Sequence, residues 1–327
     1  MSGVAFLGPR GSFCEAAMRA LLDGQPKPRA TDTWEQVAAE SVHAALDLLR
    51  DGIVEAAVVP IENSVEGAVT FTLDALAQGG NLVIVDEVVL PVRFALMGRP
   101  GCRLADVTAI ATHPHAHAQV RGWLAENLPG VPVLPALSTA AAAAGLSGEH
   151  PGYDAAVAQQ LAADIYGLDV LASDIGDTAD ATTRFVMVRR PGALPAPTGA
   201  DKTTLTLFIH QHRPGALLAI LNEFAVRGVN LTRIESRPTR TALGDYYFSV
   251  DIEGHIEDAR VAEALMGLHR VCLDVRFLGS YPRHDGQQPV LDPGVTDSAY
   301  AEAREWLRSL TDGRGAGLGD DAGRDGS

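Results

Sequence analysis

A chain of 327 residues has room for two or three domains with sizeable cores, and 46% apolar against 20% charged residues excludes a largely disordered protein. Its 26 basic and 41 acidic side chains leave a formal charge of −15, which excludes a nucleic-acid partner, because neutralising phosphates needs a basic surface. The same balance sets a problem for any acidic substrate, which must find a local positive pocket.

The first strand is expected at Val4–Leu7, ending in Gly8-Pro9-Arg10-Gly11. Ser12-Phe13-Cys14-Glu15 then fits a capping box, with Ser12 as N-cap and Glu15 reaching back, and the helix should run to about Asp23. Ala56–Val59 is a second apolar run that stops at Pro60 before a polar turn. Leu82–Val89, Ala109–Thr112, Val131–Leu134, Ala155–Ala158 and Asp169–Ala172 read as further strands, with helices near 114–127, 138–146 and 159–166 between several of them. Such alternation predicts an α/β fold with helices on both faces of the sheet.

Pro191-Gly192-Ala193-Leu194-Pro195-Ala196-Pro197-Thr198-Gly199 is rich in breakers and reads as a linker. Beyond it Thr203–Ile209 alternates as a strand, Ala216–Arg227 has helical spacing, and Leu231–Arg237 and Tyr246–Glu253 read as strands joined through Gly244-Asp245. Ile256–His269 is helical and Val275–Leu278 closes with a strand, so the order βαββαβ predicts a ferredoxin-like module. Ser298–Leu310 is a further helix, and the Gly- and Asp-rich last fifteen or so residues are expected to be disordered.

Cys14, Cys102 and Cys272 are odd in number and lack CxxC spacing, so a reducing compartment is expected. Met1–Phe6 lacks a basic stretch followed by an apolar core, and no apolar run approaches the roughly 18 residues that span a bilayer. The expectation is a cytoplasmic protein with no membrane partner.

Five polar clusters carry possible chemistry. Gly8–Ser12 turns from a strand into a helix N-terminus, which presents amides to an anion, although a structural turn explains it as well. Glu62, Asn63 and Ser64 follow an apolar strand, where ligands bind in open α/β sheets; capping alone would also explain Ser64. Thr112-His113-Pro114-His115-Ala116-His117-Ala118-Gln119 places histidines at alternate positions, but Pro114 and the helix starting there break the geometry of a metal site. No metal and no cofactor are expected; Thr112 and Gln119 would face a ligand while the histidines pack or cap. Thr182, Thr183 and Arg184 open the last strand before the linker, and a guanidinium offers a fixed fork for a carboxylate, against a bland strand start. In the small module, Pro214-Gly215-Ala216-Leu217-Leu218 exposes amides suited to an amino acid's carboxylate, and Glu235-Ser236-Arg237-Pro238 lies on a strand; a turn and an edge strand are the alternative.

Taken in order, FLGPRGSF, VPIENSVEGAV, THPHAHAQ, STAAAA (Ser138–Ala143), AAVAQQLAADIYGLDVLASDIGD and TTRF (Thr182–Phe185) resemble the prephenate dehydratase family, and GALL with ESRP resembles the phenylalanine-binding motifs of its regulatory ACT domain. The resemblance covers about residues 3 to 283. It implies a catalytic domain at 1–190 built of two lobes like a type 2 periplasmic binding protein, the second at about 80–175. A linker at 191–201, an ACT domain at 202–282 and a partly disordered tail at 283–327 would follow. With the catalytic part starting near Met1, the chain is expected to be monofunctional, with no chorismate mutase segment upstream.

The resemblance implies decarboxylating dehydration of prephenate to phenylpyruvate. Thr183 would serve as proton donor to the departing hydroxyl, Arg184 would add positive potential, and Ser12, Glu62, Asn63, Ser64, Thr112, Gln119 and Phe185 would line the substrate cleft. L-Phenylalanine, as effector, would bind where ACT domains pair, near Gly215–Leu218 and Asn230-Leu231, with its side chain near Glu235–Pro238. That pairing implies a dimer or tetramer. The chain departs from the family at Ala181, where Asn is usual, and at Thr112, where Ser is common. Arogenate dehydration, an amino-acid sensor without turnover and a histidine-based metal hydrolase remain alternative readings.

Overall fold

A computed structural model describes residues 3–23, 34–80, 82–149, 151–209, 214–239 and 245–312. The expected Gly244 turn and the expected disorder of the last residues lie outside them. One compact unit runs to Pro195 and takes in Tyr281–Asp285; the other runs from Ala196 to Ser280 and resumes at Gly286.

The first unit begins β1 (Gly3–Leu7), α1 (Phe13–Asp23), β2 (Glu35–Ala39), α2 (Val42–Arg50), β3 (Ala56–Asn63), β4 (Gly67–Ala68), α3 (Thr70–Gln78) and β5 (Val83–Pro91). It continues with β6 (Ala95–Gly98), β7 (Ile110–Thr112), α4 (Pro114–Asn127), β8 (Val133–Pro135), α5 (Thr139–Leu146), β9 (Ala155–Ala158), α6 (Gln160–Tyr166), β10 (Asp169–Ala172) and β11 (Thr182–Arg189). These strands form two sheets, hence two lobes: β2-β1-β3-β11-β5, with β4 beside β3, and β10-β6-β9-β7-β8.

Near-continuous apolar runs make β1, β3 and β11 central strands. Val4, Phe6, Val58, Phe185 and Met187 bury one face of the first sheet against Cys14, Ala17, Met18 and Leu21 of α1. The alternate residues Ala5, Ala57 and Val59 are also fully buried, as in a sheet covered on both faces. The second sheet packs Leu96, Ile110 and Val157 with Val120 and Leu124 of α4. Its other core joins Ala95, Met97 and Ala156 to Ala142, Ala143 and Leu146 of α5.

The lobe boundary differs from the expected residue 80. β5 pairs antiparallel with β11 in the first sheet, so the second lobe begins only at Ala95. Two connecting segments cross between lobes and bond to each other, with Val92 N–H donating to Ala181 O and Ile175 N–H donating to Phe94 O. Such a paired crossing is a hinge of few residues.

The second unit contains β12 (Asp201–Phe208), α7 (Ala216–Ala225), β13 (Leu231–Pro238), β14 (Tyr246–Glu253), α8 (Ala259–Val271), β15 (Asp274–Pro282) and α9 (Asp297–Thr311). Its sheet order β13-β14-β12-β15 is the ferredoxin-like arrangement expected from βαββαβ. Leu205, Leu207, Val250 and Ile252 bury one sheet face against Ile220 and Phe224 of α7 and Val261, Ala264 and Leu268 of α8. Asp297 at the start of α9 accepts from the Ala259 amide at 2.8 Å and so caps α8. Among the described residues no helix is long and apolar enough to cross a membrane.

Candidate active site

A cavity of about 290 Å³ lies in the cleft of the first unit, lined from the first lobe by Phe13, Cys14, Asn63, Thr183 and Phe185 and from the second by residues of α4 and the start of α5. Strand alternation explains which residues of β11 reach it. Thr183 and Phe185 point to one face of the sheet, and Arg184 between them points to the other.

Thr183 sits opposite Asn63 in the β3–β11 ladder, and the Asn63 Nδ2 donates to Thr183 Oγ1 at 2.8 Å. The direction of that bond is set by the backbone. Asn63 Oδ1 already accepts from Val65 N–H at 2.8 Å and Glu66 N–H at 3.0 Å, so only its NH₂ end can face Thr183. A hydroxyl that accepts from Asn63 keeps its own proton for another acceptor. The geometry therefore makes Thr183 a hydrogen-bond donor to whatever occupies the cavity.

Arg184 has a different task. Its side chain is 8% exposed, with Nε 3.7 Å from Glu62 and Nη1 3.6 Å from Glu87, whose side chain is 2% exposed. Two carboxylates offset the guanidinium, and neither Arg184 nor Glu62 is among the lining residues. The expected contribution of Arg184 to the positive potential of the cleft is corrected accordingly: it is an internal ion pair on the opposite face of the sheet.

Three further expected hydroxyls are spent on structure. Ser12 Oγ donates to Leu7 O at 2.8 Å and accepts from Glu15 N–H at 3.3 Å, capping α1. Ser64 Oγ accepts from Thr182 N–H at 2.9 Å, and Thr112 Oγ1, 1% exposed, donates to Val157 O at 2.8 Å. None of the three lines the cavity. The Gly8–Ser12 turn meets the protein's own carboxylate in place of an external one, since Gly11 N–H donates to fully buried Glu15 at 2.6 Å. Gly11 itself is required there, because its φ is +78° and a Cβ would fall 3.0 Å from Ala162 Cα.

Asn63, Gln119, Thr183 and Phe185 are the expected residues that the cavity brings together. Phe13, Phe94, His113, His115, Ser138 and Thr139 join them without having been assigned to the cleft from sequence. STAAAA and the histidine segment were visible signals, but nothing local says that they meet. Ser138 caps α5 by accepting from Ala141 N–H at 2.9 Å, and His113 caps α4 through its Nδ1, which accepts from His115 N–H at 3.3 Å. His115 turns to Glu66, and among the described residues no group of three or more His, Cys, Asp or Glu could hold a metal ion.

These caps bear on charge. The lining contains no Lys, Arg, Asp or Glu, yet α1, α4 and α5 all begin at it. Glu15 answers the positive end of α1 and Glu66 stands against the first turn of α4 at His115, which leaves the N-terminus of α5, capped by Ser138. His113 is held below its ordinary 6.5 by burial and then by His115, with Glu66 opposing. Neutral His113 accepts at Nδ1, so its Nε2 carries the proton and is a second donor at the cavity. Burial pushes the Cys14 thiol up to about 12, which leaves it a poor nucleophile.

The lowered His113 value has a stability consequence. Between that value and 6.5 the unfolded chain binds more protons than the folded one, so stability from neutral His113 is complete above pH 6.5 and is lost as pH falls through the folded value. Thermal midpoints measured against pH should fall more steeply on acidification in the wild type than in His113→Asn, whose carboxamide oxygen caps at any pH. Parallel curves would reject this role.

In the second unit, Gly215–Leu218 opens α7, with Gly215 at φ +81° as N-cap. Asn230 precedes β13 and Leu231 begins it, while Glu235–Pro238 closes the same strand, which is the outer one of its sheet. Leu218 and Ile234 are exposed.

Comparison with known proteins agrees with this division. The prephenate dehydratase family model matches residues 4–193, and the ACT domain model matches residues 203–270. A prephenate dehydratase of Mycolicibacterium vanbaalenii is 48% identical over 320 residues, covering 96% of this chain and 100% of the relative. The crystal structure of a prephenate dehydratase from Arthrobacter aurescens in complex with L-Phe superposes with a TM-score of 0.87 at 50% identity, covering 95% of this chain and 99% of that one. GqqA, a novel type of quorum quenching acylase, superposes with a TM-score of 0.75 at 35% identity, covering 86% and 97%. With its catalytic-domain model matched across both lobes and its relatives matched nearly end to end, the chain belongs to the prephenate dehydratase family.

Proposed function

We propose that this chain converts prephenate to phenylpyruvate in phenylalanine biosynthesis, with Thr183 as the donor to the departing hydroxyl. The observation that carries the reading is the Asn63–Thr183 hydrogen bond, whose direction leaves the Thr183 proton available to substrate. The ring carboxylate leaves as carbon dioxide. Its bonding electrons complete the aromatic ring and expel the hydroxyl, which leaves as water with a proton drawn ultimately from solvent. Aromatisation supplies the driving force. The protein has to orient the diene, for which Phe13, Phe94 and Phe185 offer an apolar wall, and to stabilise charge on the leaving oxygen. The substrate carboxylates are met by the N-termini of α4 and α5 and by Gln119 and His113.

L-Phenylalanine is the proposed effector, as in the L-Phe complex of the Arthrobacter relative. Its ammonium and carboxylate would meet backbone groups near Gly215–Leu218 and Asn230-Leu231, with its side chain near Glu235–Pro238. The exposed outer strand β13 would pair with a second copy, giving a dimer or tetramer. Inhibition then requires tighter effector binding to a low-activity state.

The deciding experiment follows phenylpyruvate formation by the full chain from prephenate and, side by side, from arogenate, with and without phenylalanine. Preferred turnover of prephenate that phenylalanine suppresses is the expected result. Preference for arogenate moves the chain to the sister reaction, and turnover of neither sinks the catalytic reading. The acylase activity of the 35%-identical relative finds no cysteine nucleophile in the protonated Cys14 of this cavity.

A further inference from the structure

Two cavities adjoin in the cleft. One, about 290 Å³, contains Thr183; the other, about 860 Å³, includes Glu66 and Phe71; Asn63, His115 and Gln119 line both. Glu66 stands at this partition, on the turn between β3 and β4 of the first lobe. Its carboxylate reaches the opposite lobe, with Oε2 2.5 Å from His115 Nδ1 and Oε1 accepting from Gln119 Nε2 at 3.4 Å. Its backbone N–H donates to Asn63, which in turn donates to Thr183. One residue is thus tied to the reacting hydroxyl on one side and to the facing lobe on the other.

We propose that Glu66 is a positioning residue that closes the cleft: its bridge to His115 and Gln119 holds the lobes in the arrangement that completes the Thr183 cavity, and its release lets substrate enter. The inference rests on the dehydratase reading. Neither lobe forms the site alone, because Asn63, Thr183 and Phe185 come from the first and His113, Gln119, Ser138 and Thr139 from the second. The lobes are tied by the two paired segments and by Gln159 Nε2 donating to Gly11 O at 2.9 Å and Tyr166 OH donating to Arg10 O at 2.8 Å, and the Glu66 bridge adds a contact from the β3–β4 turn to α4. In the bridge the Glu66 charge is paired with His115 and Gln119, two residues of a lining that has no carboxylate of its own. Gln119 gives one N–H to Glu66 and keeps its carbonyl and second N–H for the cavity.

The bridge is partly exposed, so its loss shifts the balance of closed to open cleft by about fivefold at most. Saturating substrate restores closure, which places the effect on KM. In the full chain, Glu66→Ala and His115→Ala should each raise KM for prephenate about three- to fivefold and change kcat less than about twofold. The double variant should be no worse than Glu66→Ala, which already removes the His115 contact along with that of Gln119. Glu66→Gln, whose single carbonyl oxygen can accept from one partner while its NH₂ faces the other, should recover part of the KM loss. An unchanged KM in Glu66→Ala, effects that multiply in the double variant, or a loss confined to kcat would overturn the proposal. Amide hydrogen exchange over residues 114–119 of the free protein reads the bridge without turnover. It should quicken in Glu66→Ala and His115→Ala and less in Glu66→Gln, and equal exchange in all forms rejects the bridge. Absent turnover in a wild type that does show this exchange pattern would instead reject the dehydratase reading.

Discussion

Thr183→Val is expected to fold normally and to lose about two or more orders of magnitude in kcat for prephenate, as for removal of a positioned acid or donor. Valine keeps the branched shape of threonine at a position only 9% exposed but puts a methyl where the Asn63 NH₂ donates, so a modest loss of stability accompanies the loss of the hydroxyl. Thr183→Ser keeps the donor and should retain most of the activity. Asn63→Asp is the sharper variant. An aspartate can still accept from the Val65 and Glu66 amides, but it cannot donate to Thr183. The Thr183 proton would then be captured by the new carboxylate, and turnover should fall about as far as in Thr183→Val. Steady-state kinetics with circular dichroism to check folding decides the matter. Near wild-type kcat in Asn63→Asp would mean that the direction of that hydrogen bond is irrelevant to the reaction.

Arg184→Met should act on stability, by about 3 kcal/mol, because it leaves Glu87 buried without the guanidinium that faces it. The double variant Arg184→Met with Glu87→Met should recover most of that loss, since two apolar groups can replace a buried pair. Urea denaturation of the wild type, the single and the double variant measures both effects. Wild-type stability in Arg184→Met together with abolished turnover would reverse the reading and give the guanidinium to the substrate. Glu62→Gln should cost far less, because that carboxylate is 41% exposed and water can replace its partner.

These expectations turn on geometry finer than a motif. TTRF marks a place in the chain, but the period of two along β11 decides that Thr183 and Phe185 reach the cavity while Arg184 does not. That alternation was available in the sequence. What was missing was which face of the strand borders the cleft, and this follows only from α1 covering the Phe185 and Met187 side. The Gly8–Ser12 turn shows the same limit. Its amides suit an anion, and the anion is Glu15, brought round by the first turn of α1 to accept from Gly11.

Much of the architecture could be read from local pattern alone. The helices expected near 114–127, 138–146 and 159–166 are α4, α5 and α6, and Ser298–Leu310 lies within α9. The order βαββαβ after a Pro- and Gly-rich stretch was sufficient for the ferredoxin-like sheet, because short-range periodicity and breakers define such elements without distant contacts. The family and its ordered motifs were equally legible.

Only tertiary structure decided how distant elements combine. The first sheet recruits β5 and β11 from either side of the whole second lobe, and the cavity borders the N-termini of α4 and α5, begun by His113 and Ser138, and not Arg184. The sequence by itself determined the elements and the family, because both rest on local pattern, and the packing of the two lobes determined which side chains line the cavity.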